Sequence, residues 1–249
     1  MSVLASLFTS LDSLLARLAE LLAPLFGASA TAAAIVLFTL CVRLALHPLA
    51  RSAAVGRRAQ AALAPRVAEL RRRHRNDPER LVRATRELHA KAGVSPLAGV
   101  LPSLAQLPVL LVMYRLLATG SGGTGLLDHT LLGAELGGRW ADVLGEGGVF
   151  GVPGLVHLGL FAVAAAAATW TYVRTVRTNA AQPTAGDRAP AVARLLPLLP
   201  LLSFGTLVTV AVMPLAAGLY LVTSSVWAAA EQAYLQSSRF LAPPAAAGD

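Results

Sequence analysis

Between positions 195 and 230 the chain carries no charged residue. As one helix that run would extend roughly 54 Å, whereas the hydrocarbon of a bilayer is ~30 Å thick. Pro214 falls inside the run. Proline lacks the amide donor and clashes with the preceding turn, so the pattern predicts two short spans, 195–211 and 213–231, joined by a tight turn. Three further apolar stretches fit one crossing each: 30–49; 97–118, bounded by Pro96 and by glycines after Thr119; and 154–173, which begins after Pro153. Of 249 residues, 55% are hydrophobic and only 14% charged, against about a quarter charged in soluble domains. The expected fold is an all-α integral membrane protein with five transmembrane helices.

The distribution of arginine orients it. The formal net charge is +8, and Lys91 is the only lysine among 21 basic residues. Most of the arginines fall in segment 50–96, and Arg174, Arg177, Arg188 and Arg194 follow in loop 174–194. Loop 119–153 has Arg139 alone, beside Asp128, Glu135, Asp142 and Glu146. Basic loops stay in the cytoplasm, so the N-terminus is expected outside and the tail 232–249 inside. Within 50–96, Leu63, Val67, Leu70 and His74 form one stripe, and Leu81, Thr85 and Leu88 another. Asp77 can cap the second helix with Pro78 in its first turn. This segment therefore reads as a cytoplasmic helical hairpin with an arginine-rich face. Segment 1–29 repeats Leu4, Leu7, Leu11, Leu14, Leu18, Leu21 and Leu25, with Ser6, Ser10, Asp12, Ser13, Arg17 and Glu20 between them. No basic residue precedes Arg17, so it lacks the positive start of a signal peptide. It reads as an amphipathic helix, lying on the outer membrane surface or packed on the rest of the protein.

Arg43 is the sharpest candidate for function. It lies six residues before the expected end of the first span, roughly 9 Å deep. A charge there costs about 2.5–3.5 kcal/mol and normally faces water or a partner, although a long arginine can also snorkel to the headgroups. The apolar bodies of the five spans contain no Asp or Glu. Thr39 shares the Arg43 face one turn earlier. Gln106 and Tyr114 in the second span, and Tyr220 and Ser224 in the fifth, can line one wet cavity with Arg43. Each taken alone also fits an interhelical hydrogen bond. There is no phosphate loop, no nucleophile with a base and no zinc spacing, and Cys41 is the single cysteine. No enzymatic activity, cofactor or metal is expected. The basic hairpin can attract anionic lipid or nucleic acid, but the positive-inside rule accounts for most of its charge, and no specific nucleic-acid readout is expected.

These residues resemble a known family. Gly93 to Gly99, then Leu101-Pro102, Gln106, Pro108 and Tyr114-Arg115-Leu116, resemble the second conserved span of the YidC/Oxa/Alb-type membrane protein insertases, in their short, actinobacterial-like bacterial form. Arg43 followed by Pro48-Leu49 resembles the end of their first conserved span with its groove arginine. Ala64-Pro65 and Asn76-Asp77 are similar to their cytoplasmic hairpin. Gly218-Leu219-Tyr220, Thr223, Ser224, Trp227 and Gln232 look like their last span.

The resemblance implies an insertase of the bacterial cell membrane. Nascent chains would enter the bilayer through a hydrophilic groove open to cytoplasm and lipid and closed outside. Arg43 would attract the translocated segment. Arg57, Arg58, Arg71, Arg72, Arg73 and Arg83 would form a cytoplasmic surface that receives the client. The implied partners are nascent membrane proteins, the ribosome, the Sec translocon and membrane lipids. A small transporter or channel for an anionic solute is the competing expectation, although no repeat relates the two halves as transporters often show. An assembly factor without translocation activity is a third.

Overall fold

A computed structural model describes residues 2–95, 107–119, 125–145, 148–180 and 201–236. The chain is mostly helical. Its elements are α1 (Ser2–Phe26), a 3-10 turn (Gly27–Ser29), α2 (Ala30–Ala45), α3 (His47–Arg73), α4 (Pro78–Lys91), α5 (Leu107–Thr119), a ribbon of β1 (Thr130–Leu131) and β2 (Ala134–Glu135), then α6 (Trp140–Gly145), α7 (Val152–Ala180), α8 (Gly205–Val212) and α9 (Leu215–Gln236). Among the described residues two stretches are long and apolar enough to cross a membrane, Thr9–Ala45 and Val152–Arg177, and a shorter apolar helix covers Leu201–Val212. The chain forms two compact units.

The first unit comprises Met1–Ala45, Pro108–Tyr172 and Leu201–Ala230. Its core joins Leu15 of α1, Ile35 and Phe38 of α2, Leu116 of α5, Leu160 of α7, Val210 of α8, and Leu215 and Tyr220 of α9. Helix α1 packs along α2 through Leu11, Leu15 and Leu18, while Leu14, Leu21 and Leu25 stay exposed. A leucine repeat of period 3.5 drifts about 20° per heptad on a 3.6-residue helix, so the stripe turns away from its neighbour along α1. One flank thus meets protein and the other is left for lipid. Asp12, placed on the polar side by sequence, is instead buried at 2% exposure.

The break within the long apolar run falls at Met213-Pro214. The residue before a proline is driven out of the helical region, and Met213 is extended, with φ −84° and ψ 157°. Because α9 starts anew, its first amides need acceptors. The segment after β2 supplies them: Leu215 N–H donates to the Gly138 carbonyl and Ala216 N–H to that of Leu136, both at 2.9 Å. That segment is itself anchored. Ala134 and Leu136 are fully buried, and Leu132 N–H donates to Ser29 Oγ at 3.0 Å. The turn between the strands places both Leu132 (φ 52°) and Gly133 (φ 91°) in the left-handed half of the map. Two-residue hairpin turns of this twist require that geometry, and the non-glycine residue carries a cost of about 1–2 kcal/mol. The described end of the bundle where α9 begins is therefore covered by a hydrogen-bonded loop.

The second unit comprises Leu46–Leu107, Val173–Pro200 and Glu231–Asp249. Helix α3 begins immediately after Leu46, with Pro48 in its first turn, where a missing amide does least harm. Asp77 caps α4 by accepting from Arg80 N–H at 2.9 Å, as the Asp77-Pro78 pair predicts. Leu63 of α3 is buried, but no residue of α4 is. Val67, Leu81, Val82 and Thr85 line a shallow groove edged by Arg71, Arg86 and His89.

Candidate functional site: the Arg43 contact and the ends of α9

Helix α2 carries Arg43 two residues before its end, and Arg43 Nε donates to Ser224 Oγ of α9 at 3.3 Å. Ser224 is 4% exposed. A hydroxyl that deep without a partner would cost about 1–3 kcal/mol, so the contact satisfies Ser224 while holding one edge of the guanidinium. The neighbouring Ser225 donates to the Leu221 carbonyl of its own helix at 2.8 Å. Successive helical residues point about 100° apart, so the two serines face different ways.

Thr39, one turn before Arg43, is buried, and its hydroxyl donates to the Ile35 carbonyl at 2.7 Å. That bond saturates its donor, which leaves Thr39 an acceptor only. Tyr220, one turn before Ser224 on α9, is also buried. Arg43, Thr39, Tyr220 and Ser224 thus lie along α2 and α9 within the first unit. Tyr114 is exposed on α5, while Met113, Leu116 and Leu117 of that helix are buried. Gln106 lies outside the described residues.

Beside this contact the same helices border an apolar groove of about 760 Å³. Val36 and Leu40 of α2, Gly159 and Val163 of α7, and Thr223 and Val226 of α9 line it. Among the described residues no three His, Cys, Asp or Glu side chains converge to hold a metal ion.

In the second unit, Arg57, Arg71, Arg72, Arg73 and Arg83 are exposed. Arg58 differs from them. It is half-buried, and its Nη2 donates to the Leu235 carbonyl at 2.8 Å. Arg174 Nη2 donates to the Gln232 carbonyl at 3.2 Å. Both cations meet main-chain carbonyls near the last described residues of α9. His47 pairs with Glu231, Nδ1 to Oε1, at 2.6 Å. The two residues are 184 positions apart, so nothing local in the sequence links them. A lone glutamate ending a long apolar run was the only available signal. His157 was also missed: it is 2% exposed, its Nδ1 is bonded to the Pro153 carbonyl, and its ring lies 5.9 Å from that of Trp140.

Residues 21–241 match the family described as "60Kd inner membrane protein". Among characterised relatives, "Membrane protein insertase YidC" of Campylobacter jejuni is 37% identical over 84 residues, which is 34% of this chain and 16% of that protein. "Inner membrane ALBINO3-like protein 2, chloroplastic" of Chlamydomonas reinhardtii is 39% identical over 88 residues, 35% of this chain and 21% of that protein. "ALBINO3-like protein 1, chloroplastic" of Arabidopsis thaliana is 36% identical over 85 residues, 34% of this chain and 17% of that protein. The matched stretches span well under two thirds of each relative's length.

Proposed function

The chain belongs to the 60Kd inner membrane protein family, that of the YidC-type insertases, and from that premise we propose that it moves segments of nascent membrane proteins into the bilayer of a bacterial cell. It does so with five spans, N-terminus outside and C-terminus inside, through a hydrophilic groove open to cytoplasm and lipid. Its cytoplasmic arginine-rich hairpin receives the client, the ribosome or the Sec translocon.

The observation that carries this reading is the Arg43–Ser224 contact, a permanent positive charge held at 3.3 Å from a buried hydroxyl between two apolar helices. Each unsatisfied polar group of a client costs several kcal/mol in hydrocarbon. A polar groove reaching partway shortens the dry path, and Arg43 draws an acidic segment into it. At 4 Å and an effective dielectric of 20, such a pair is worth about 4 kcal/mol, enough to recruit a segment that must later leave. The client's apolar stretch stays on the lipid side. The loop after β2 supports closure at the outer end, since it covers the start of α9 with two main-chain hydrogen bonds. No covalent bond is made or broken, so the activity is not enzymatic.

A photoreactive residue introduced at Ser224, with a one-span client stalled during insertion, tests the groove. Crosslinks to the client's translocated segment are expected at Ser224 and not at Leu132 in the outer turn. Crosslinking at Leu132 but not at Ser224 would remove the groove from this part of the molecule.

A further inference from the structure

We propose that Leu132 and Phe150 form an apolar wedge that enters lipid at the bilayer surface where α7 begins, the outer leaflet in the proposed orientation. Every residue that carries the inference belongs to the first unit. Leu132 is 70% exposed and Phe150 88%, and Val152 and Leu155 are exposed beside them. The turn of the ribbon lies against the start of α7: a Cβ added at Gly133 would be 3.4 Å from Val152 Cγ1. Leu132, Val152 and Leu155 also border the same apolar groove, and Phe150 stands two residues before Val152. The sequence carries no charge from 130 to 134 or from 147 to 156. An exposed apolar patch of this kind marks a surface that binds protein or membrane.

Both side chains are held out by their backbones. Leu132 sits at φ 52°, a region where leucine is strained and asparagine or glycine is at ease. Its own chain buries little of it, so its packing partner lies outside the chain. The Phe150 turn is folded onto α7. Gly151 N–H donates to the Gly148 carbonyl at 2.8 Å and Leu155 N–H to the Gly151 carbonyl at 2.9 Å, and a Cβ at Gly154 would overlap the Val149 carbonyl. Two observations favour lipid as the occupant. Leu155, Leu158 and Val163 continue the exposed apolar surface along Val152–Arg177, a stretch long and apolar enough to cross a membrane. Hydrocarbon beside that flank borders the patch directly. Backbone that enters lipid must also satisfy its polar groups within the protein. The Leu132 amide does so by donating to Ser29 Oγ at 3.0 Å, and Leu131 pairs with Ala134 across the ribbon. The next rung ends the wedge, because it carries Glu135, exposed and charged.

The test uses the full chain with Cys41→Ser in lipid nanodiscs. Leu132→Cys, Phe150→Cys and Glu135→Cys, made one at a time, each carry an environment-sensitive fluorophore. All three side chains are exposed, so none of the substitutions removes core packing. Emission is measured with lipids spin-labelled in mid-chain and, separately, with aqueous iodide. Spin-labelled lipid is expected to quench the probes at Leu132 and Phe150 on the order of threefold more than the probe at Glu135, and iodide to show the reverse order. Iodide quenching at Leu132 or Phe150 as strong as at Glu135 overturns the proposal. Protection of the two from both quenchers also overturns it, and assigns the patch to a second copy of the chain. Lipid quenching as strong at Glu135 as at the wedge overturns it too, since the probes would then report nearness to the disc and not entry. A nanodisc exposes both faces and holds no client, so the outcome is independent of the insertase reading and of the orientation.

Discussion

Arg43 stays charged at every pH the protein meets, because a guanidinium does not deprotonate in proteins. Its contribution to insertion should therefore follow its charge. Arg43→Lys is expected to retain most insertion, since the ammonium keeps the charge while losing the planar fork. Arg43→Ala should lower insertion of clients with acidic translocated segments about tenfold or more, the effect of removing 1.4 kcal/mol or more of attraction, and should spare neutral segments. Insertion kinetics of paired acidic and neutral clients measure this. If Lys fails as badly as Ala, the geometry of the guanidinium governs instead. Arg43 could be singled out from sequence because a charge within an apolar run is conspicuous. The Asp77 cap was legible for a different reason: an N-cap and the amide that donates to it lie three residues apart. His47 and Glu231 were not legible as a pair, since nothing local links residues on different helices. Thr39 was identified by its face, but the bond to Ile35 that uses its hydroxyl depends on a rotamer.

At the scale of elements, proline and glycine decide the most. Pro214 fixes the division between α8 and α9, and its effect on Met213 is local enough to be read from the dipeptide. What receives the newly exposed amides of α9 is not local: the Gly138 and Leu136 carbonyls come from a loop more than seventy residues earlier. The two-stranded ribbon in that loop had no alternating pattern long enough to announce it. Gly218 marks a close approach. A Cβ there would lie 3.1 Å from Leu160 Cδ2 and 3.3 Å from Val210 Cγ1, whereas one at Gly159 meets nothing within 4 Å. Gly218→Val is accordingly expected to destabilise by about 1–3 kcal/mol. At ~2–4 °C per kcal/mol for a chain of this size, thermal unfolding in detergent should shift down by several degrees. Gly159→Ala should leave the transition unchanged or raise it slightly. Equal losses for both would mean that the close approach at Gly218 does not set the cost. Helix α1 shows the limit of reading a stripe. The leucine repeat was correct, yet its drift carried Leu21 and Leu25 outward while Asp12 turned in.

For the whole molecule, the arginine asymmetry makes a directional statement. In a chain with Cys41→Ser, a membrane-impermeant thiol reagent applied from outside should label Gly138→Cys and leave Asn76→Cys untouched. Labelling of Asn76→Cys from outside would invert the orientation. The mostly helical character and the apolar stretches long enough to cross a bilayer were legible because their length follows from bilayer thickness alone. The division into two compact units was not, because α7 and α9 each run through both and no break in composition marks the boundary. The Gln106 region, which carries much of the family resemblance, lies outside the described residues and adds nothing to the geometry. The proposed function requires this one chain to place a client's polar segment across a bilayer. The purified protein in liposomes, supplied with a newly synthesised one-span client, tests it most directly. A protease-protected client fragment well above that in protein-free liposomes is expected. Equal protection in the two would contradict it.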